Sequence, residues 1–340
     1  MKQQLHALTS TRGIAALLVV IFHFGCTVFP FNSFEHFFRS GNLAVGYFFV
    51  LSGFVMYYTY HLRPSRYSTF MWRRTLRIAP AYYLALILAA LWMIDRENLS
   101  GPMFLRQLAM NASFTQALFP GYALTINSPG WTLSIEMFFY ALFPLLLLLA
   151  IQRRTAFVWF ACLFYILSQA IHFILISKYH PAWDTPVHEF VFYFPLFHFN
   201  QFLVGMAAAI FYFGLKKERW RYLTLPLTIL VVLIVNFAPG GVSLHNGLLA
   251  PLFALLIVSI ASNNSAFLSL RPIVFLGEIS YGIYILQEPL HRYFVLANDK
   301  WLHLGGTTFF YSYLLFLMLS AAGSFYFIER PLRRLISRPN

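Results

Sequence analysis

An all-α, polytopic membrane bundle is the fold class that this sequence predicts, and three observations predict it. The 340 residues are 59% hydrophobic and 10% charged, with a mean hydropathy of +0.66. A soluble domain carries roughly a quarter charged residues, so a water-exposed globule of this composition would be covered in apolar surface. The apolar residues gather into stretches near the ~20 residues that a helix needs to cross the hydrocarbon, which allows about ten spans. The basic residues favour alternate connections between those stretches. Disorder, collagen and a disulfide-built secreted module are excluded by the same composition. Cys26 and Cys162 both fall in apolar stretches and make no case for a disulfide framework or a metal site.

The apolar segments run 13–28, 43–60, 79–94, 131–151 and 156–177, then 190–215, 222–238, 246–262, 273–297 and 307–328. A few are interrupted by Pro or Gly, which a bundle tolerates where neighbouring helices satisfy the freed backbone groups. The first is not a cleavable signal, because no small-residue cleavage site follows it. With the N-terminus in the cytoplasm, that side holds Lys2, Arg12, Arg63, Arg66, Arg73, Arg74, Arg77, Arg153, Arg154, Lys216, Lys217, Arg219, Arg221, Arg271, Arg330, Arg333, Arg334 and Arg338. The other side holds only Arg39, Arg96, Arg106, Lys178, Arg292 and Lys300. This asymmetry places both termini inside and favours an even number of spans. The net charge of +13 is then a topology signal and not a nucleic-acid footprint. The loop 95–130, with Phe104, Leu105, Leu108, Phe114 and Leu118 among polar residues, reads as an interfacial or re-entrant amphipathic segment. With no repeat and no linker visible, residues 1–340 read as one transmembrane domain without an appended soluble domain.

Ionisable groups inside a bilayer cost about 2.5–3.5 kcal/mol each on insertion scales, so each one asks for an explanation. Arg12 and His23 lie about three helical turns apart, on one face and roughly 16 Å along the axis. Arg12 then sits at the cytoplasmic interface and His23 well inside the membrane. An arginine anchor with a hydrogen-bonded histidine explains the pair as well as chemistry does. In the fourth segment, Pro129 and Gly130 break the chain and Ser128 is a candidate N-cap. Thr132, Glu136 and Tyr140 follow at helical spacing as a polar stripe. A lone buried glutamate finds a cation or takes up a proton; a structural anchor is the plain alternative. Arg74 and Arg77 share a helix face and can clamp phosphate with two bidentate forks, or simply mark the cytoplasmic side. Tyr281, Tyr284, Glu288 and His291 form a further stripe, read mainly as structural contacts. His180 and His188, with Asp184 and Glu189, fit no common zinc spacing and read as outer-loop residues. His172, His198 and His245 carry no recognisable context.

Six short motifs together resemble the acyltransferase family 3 integral membrane proteins. They are Arg12 to His23 with ten residues between, Val45 to Phe54, Arg74 to Pro80, Ser128 to Glu136, Ile279 to Tyr284, and Glu329 to Arg334. The resemblance covers the whole chain in order. It implies transfer of an acyl group, most simply acetyl, from cytoplasmic acyl-coenzyme A to a hydroxyl of a cell-surface or exported glycan, with lipopolysaccharide and exopolysaccharide among the family's acceptors. The setting is the cytoplasmic (inner) membrane, crossed several times. Arg74 and Arg77, with Arg12 or Arg73, would receive the donor's phosphates. His23 would act as base, or carry the acyl group itself, with Glu136 orienting it or binding sugar. Trp131 and Tyr140 would face the sugar; Ser52 and Glu288 complete the expected substrate contacts. Acetyl-coenzyme A is the expected donor, and no metal is called for. Gln287 stands where many relatives carry a histidine, and an amide does no acid–base work near neutral pH. A proton-coupled secondary transporter is the rival reading, since buried His and Glu in broken helices suit a carrier too.

Overall fold

The computed structural model describes residues 5–332 apart from 184, 239–241, 264 and the side chain of 217. Lys2, Arg333, Arg334 and Arg338 of the charge pattern, and Asp184, lie outside the described residues. The helices are α1 (His6–Phe24), α2 (Glu35–Phe38), α3 (Ala44–Tyr60), α4 (Tyr67–Arg96), α5 (Pro102–Ala112), α6 (Trp131–Gln152) and α7 (Arg154–Tyr179). They continue with α8 (Pro186–Tyr193), α9 (Pro195–Phe213), α10 (Lys217–Trp220), α11 (Thr224–Phe237), α12 (Ala250–Ser262), α13 (Arg271–Ala297) and α14 (Gly306–Ser324). No strand occurs among the described residues. The protein is an all-α, multi-pass membrane bundle.

Each of the ten apolar segments falls on helix, and among the described residues eight helical stretches are long and apolar enough to cross a membrane. The other two depart for different reasons. Helix α12 has only 13 residues, because its predicted start at Asn246 is a turn with Gly247 in the left-handed region at φ +97°. Helix α13 has 27 residues but carries Glu278, Glu288 and Arg292, which lower its hydropathy. Helix α4 begins twelve residues before the predicted boundary, so the arginine run lies on the same helix as the third apolar segment. Helix α1 stops at Phe24, where Gly25 N–H closes on Ile21 O at 2.7 Å, so His23 stands in the last turn and not mid-span. The sixth segment divides into α8 and α9 at Pro195, whose ring cannot continue the preceding helix.

Two glycine pairs set the closest helix approaches. Gly13 on α1 faces Gly277 on α13, and a Cβ at Gly277 would collide with the Thr9 carbonyl. Gly53 on α3 faces α9 near Gly205, and a Cβ on either would strike backbone of the other helix. Lipid tails are as apolar as leucine, so such packing of small residues, not water exclusion, draws membrane helices together. Contacts ascend together in both pairs. Gly13 meets Gly277 and His23 meets Gln287; Phe49 meets His198 and Tyr58 meets Phe213. Both pairs therefore run parallel, as the alternation of ten segments requires. The loop 95–130 is partly a helix, α5, with Phe104 and Phe114 buried in the bundle and Leu105 exposed. Gln116 Nε2 donates to Gly130 O at 2.8 Å and ties this loop to the start of α6.

Candidate functional site

A cavity opens where α1, α3, α4, α6 and α13 converge, enclosing about 870 Å³ of space with solvent at its mouth included. Its walls include Arg12, Ser52, Arg74, Arg77, Thr132, Glu136, Tyr140, Tyr281 and Tyr284. Six candidates read from sequence, Arg12, Ser52, Arg74, Arg77, Glu136 and Tyr140, thus share one space. Arg74 and Arg77 reach it together because three residues on a helix return to one face. Arg73 is exposed and does not line the cavity. The stripe on α6 is continuous there: Tyr140 Oη donates to Glu136 Oε2 at 2.8 Å, and Thr132 Oγ1 donates to Pro129 O at 2.9 Å.

Arg74 is held by rings. Its guanidinium carbon lies 5.3 Å from the Tyr60 centroid, 5.7 Å from Tyr140 and 5.8 Å from Phe70. These faces attract the cation without neutralising it. Arg74 is 8% exposed, and among the described residues no carboxylate lies within ion-pair distance of it. A nearly buried guanidinium without a counter-charge is an anion receptor, because the desolvation of the cation is offset only when an anion arrives.

His23 stands apart from this cavity, about three turns further along α1. Its ring is exposed, and Nδ1 lies 3.0 Å from Gln287 Oε1. Beside it, Glu288 accepts the Ser128 backbone N–H at 2.7 Å and an Arg292 N–H at 2.8 Å. Glu288 therefore pins the entry of α6 to α13 with both oxygens engaged. Ser128 serves here through its backbone and makes no side-chain cap. Trp131 is buried, its ring packed among Phe49, Tyr193, His198 and His245 at centroid distances of 4.8–6.0 Å.

Sequence reading missed this histidine group. His188 and Glu189 lie buried on α8, not in a wet loop. Glu189 accepts the backbone N–H groups of Gly121 and Ala123 at 2.7 and 2.9 Å and so anchors the loop 95–130. His172, His188, His198 and His245 come together through α7, α8, α9 and the turn before α12, around Phe192. Nothing local marks them, because four separate elements supply them. Among the described residues no group of His, Cys, Asp and Glu side chains is placed to hold a metal. Tyr281 and Tyr284 did leave a sequence signal, the stripe on α13.

Residues 5–329 match the acyltransferase domain family. The chain belongs to that family. It is 26% identical over 320 residues to the acyltransferase MdmB of Streptomyces mycarofaciens, covering 85% of this chain and 80% of MdmB. It is 25% identical over 375 residues to the O-acetyltransferase OatA of Staphylococcus aureus strain NCTC 8325, covering 97% of this chain and 57% of OatA. YrhL of Bacillus subtilis strain 168, provisionally named a peptidoglycan O-acetyltransferase, is 25% identical over 96% of this chain and 54% of its own length. The chain thus spans little more than half of OatA and YrhL. No solved structure matches it.

Proposed function

We propose that the protein is an O-acyltransferase of the cytoplasmic membrane that moves an acyl group, most simply acetyl, from cytoplasmic acyl-coenzyme A to a hydroxyl of a cell-surface or exported glycan. The observation that carries this reading is the convergence of Arg12, Arg74 and Arg77 on one cavity, with no carboxylate among the described residues paired to Arg74 and with His23 further along the same helix as Arg12. The donor's phosphates dock on the arginines, and its slender arm lies in the cavity past Ser52 and Glu136. The thioester then meets His23 near the opposite end of α1.

At that end His23 takes the proton of the acceptor hydroxyl, and the oxygen attacks the thioester carbonyl carbon. An acyl–oxygen bond forms and the carbon–sulfur bond breaks. The leaving thiolate collects the proton from the imidazolium and departs as free coenzyme A. Glu136, held by Tyr140, forms part of the cavity wall along which the donor's arm passes.

The decisive experiment incubates purified protein with radiolabelled acetyl-coenzyme A and a glycan acceptor. Label in the glycan that disappears in His23→Ala supports the reading. Absence of transfer, together with proton-coupled uptake of a small polar solute into proteoliposomes, would establish the carrier reading instead.

A further inference from the structure

The geometry points to Gln287 as the positioning residue that fixes His23 in its Nδ1–H tautomer and presents Nε2 as the base. This rests on the reading of His23 as the general base.

The argument begins with the amide. Gln287 is fully buried, and its Nε2 lies 2.8 Å from the carbonyl oxygen of Tyr284. A carbonyl only accepts, so the amide end facing Tyr284 is the NH₂ group. The end facing His23 is then the oxygen, 3.0 Å from Nδ1. An amide oxygen also only accepts, so Nδ1 carries the hydrogen. In neutral imidazole the other nitrogen then keeps its lone pair. That nitrogen, Nε2, belongs to a ring exposed outside the packed core.

The amide cannot drift, because the helices hold it. Gly13 against Gly277 sets the register of α1 on α13, and His23 and Gln287 are each ten residues further on. At 1.5 Å per residue both travel about 15 Å and meet again. From α14, Tyr313 Oη donates to the Gln287 backbone carbonyl at 2.7 Å and braces the same turn. A carboxylate at this position would hold the imidazolium too tightly; a neutral amide orients the ring and leaves its basicity to the surroundings. The charged and titratable groups around His23 are Glu288, already paired with Arg292, and His291, stacked on Phe24 at 4.0 Å. Glu35 and Arg39, paired with each other, lie near the Cys26 turn, and Tyr313 stands on α14.

The test uses the full-length protein, with every histidine ¹⁵N-labelled and the His23 signals assigned by their loss in His23→Gln. The wild type should show a protonated Nδ1 and a bare Nε2 for His23; the opposite tautomer overturns the proposal whether or not the protein transfers acyl groups. Gln287→Met keeps the volume and removes both hydrogen bonds. It should lower kcat about two- to tenfold with an unchanged KM for the donor, as loss of the hydrogen bond that orients His23 predicts. Gln287→Glu should shift the acid limb of the kcat/KM profile to higher pH by about one unit, because an adjacent carboxylate favours the protonated ring. Wild-type kinetics in Gln287→Met, or an unmoved acid limb in Gln287→Glu, also overturns it. A wild type that transfers no acyl group sinks the enzymatic reading, while the nitrogen signals still report the tautomer.

Discussion

A single imidazole and a single guanidinium carry the sharpest consequences of this site. A general base contributes typically 10²- to 10⁴-fold in rate, so His23→Ala should lose at least about 10²-fold in acyl transfer while still binding coenzyme A. His23→Gln keeps a hydrogen-bonding group but takes no proton near neutral pH, and it should fail equally. Near wild-type turnover in His23→Gln would remove the base assignment and leave Glu136 as the next candidate. At the other end of α1 the arginines face a different task. Arg77→Ala should raise the KM for acyl-coenzyme A more than it lowers kcat, because phosphate binding is the same in ground and transition states. Arg77→Lys should recover only part, since an ammonium lacks the planar fork. Unchanged donor affinity in folded Arg77→Ala would return the pair to simple cytoplasmic-side charge.

Between helices, the glycine contacts decide whether these residues meet at all. Gly277→Val places a side chain against the Thr9 carbonyl, and overpacking of this kind costs about 1–3 kcal/mol. Its thermal midpoint in detergent should fall, and transfer activity should fall with it as α13 moves away from α1. Gly323→Ala, on α14 with nothing within 4 Å of an added Cβ, should leave both unchanged and serves as the control. Equal behaviour of the two variants would mean that the close approach of α1 and α13 is not what aligns His23 with Gln287. Lengths and faces of the long helices were legible in the apolar runs, because burial in lipid demands near-continuous hydrophobicity. The early start of α4 was not: its first turns carry Trp72, Arg73, Arg74 and Arg77, and that charge lies outside the apolar run although Arg74 and Arg77 reach inward to the cavity.

Across the whole molecule, parallel α1–α13 and α3–α9 pairs fit strict alternation of the apolar segments, and an even number of crossings is the expectation that a reporter at the C-terminus tests. The basic asymmetry then orients the chain. An alkaline phosphatase fused after Asn340, active only outside the cytoplasm, should be silent, and a cytoplasmic reporter at the same point should be active. Strong phosphatase activity would overturn the ten-span reading and the docking side proposed for the donor.

By itself the sequence determined the membrane class, the helical segments, and the polar residues that the bilayer makes expensive, since each follows from local composition and helical spacing. It also placed Arg74 with Arg77 and Thr132 with Glu136 and Tyr140, because i+3 and i+4 neighbours share a face on any helix. Only the tertiary structure decided which faces look at one another. It joined six of the candidates in one cavity, engaged Glu288 with Ser128 and Arg292, packed Trp131 among histidines, and set His23 beside Gln287 on a helix 264 residues away. Those pairings depend on helix rotation and register, which glycine-to-glycine contact fixes and no single segment encodes.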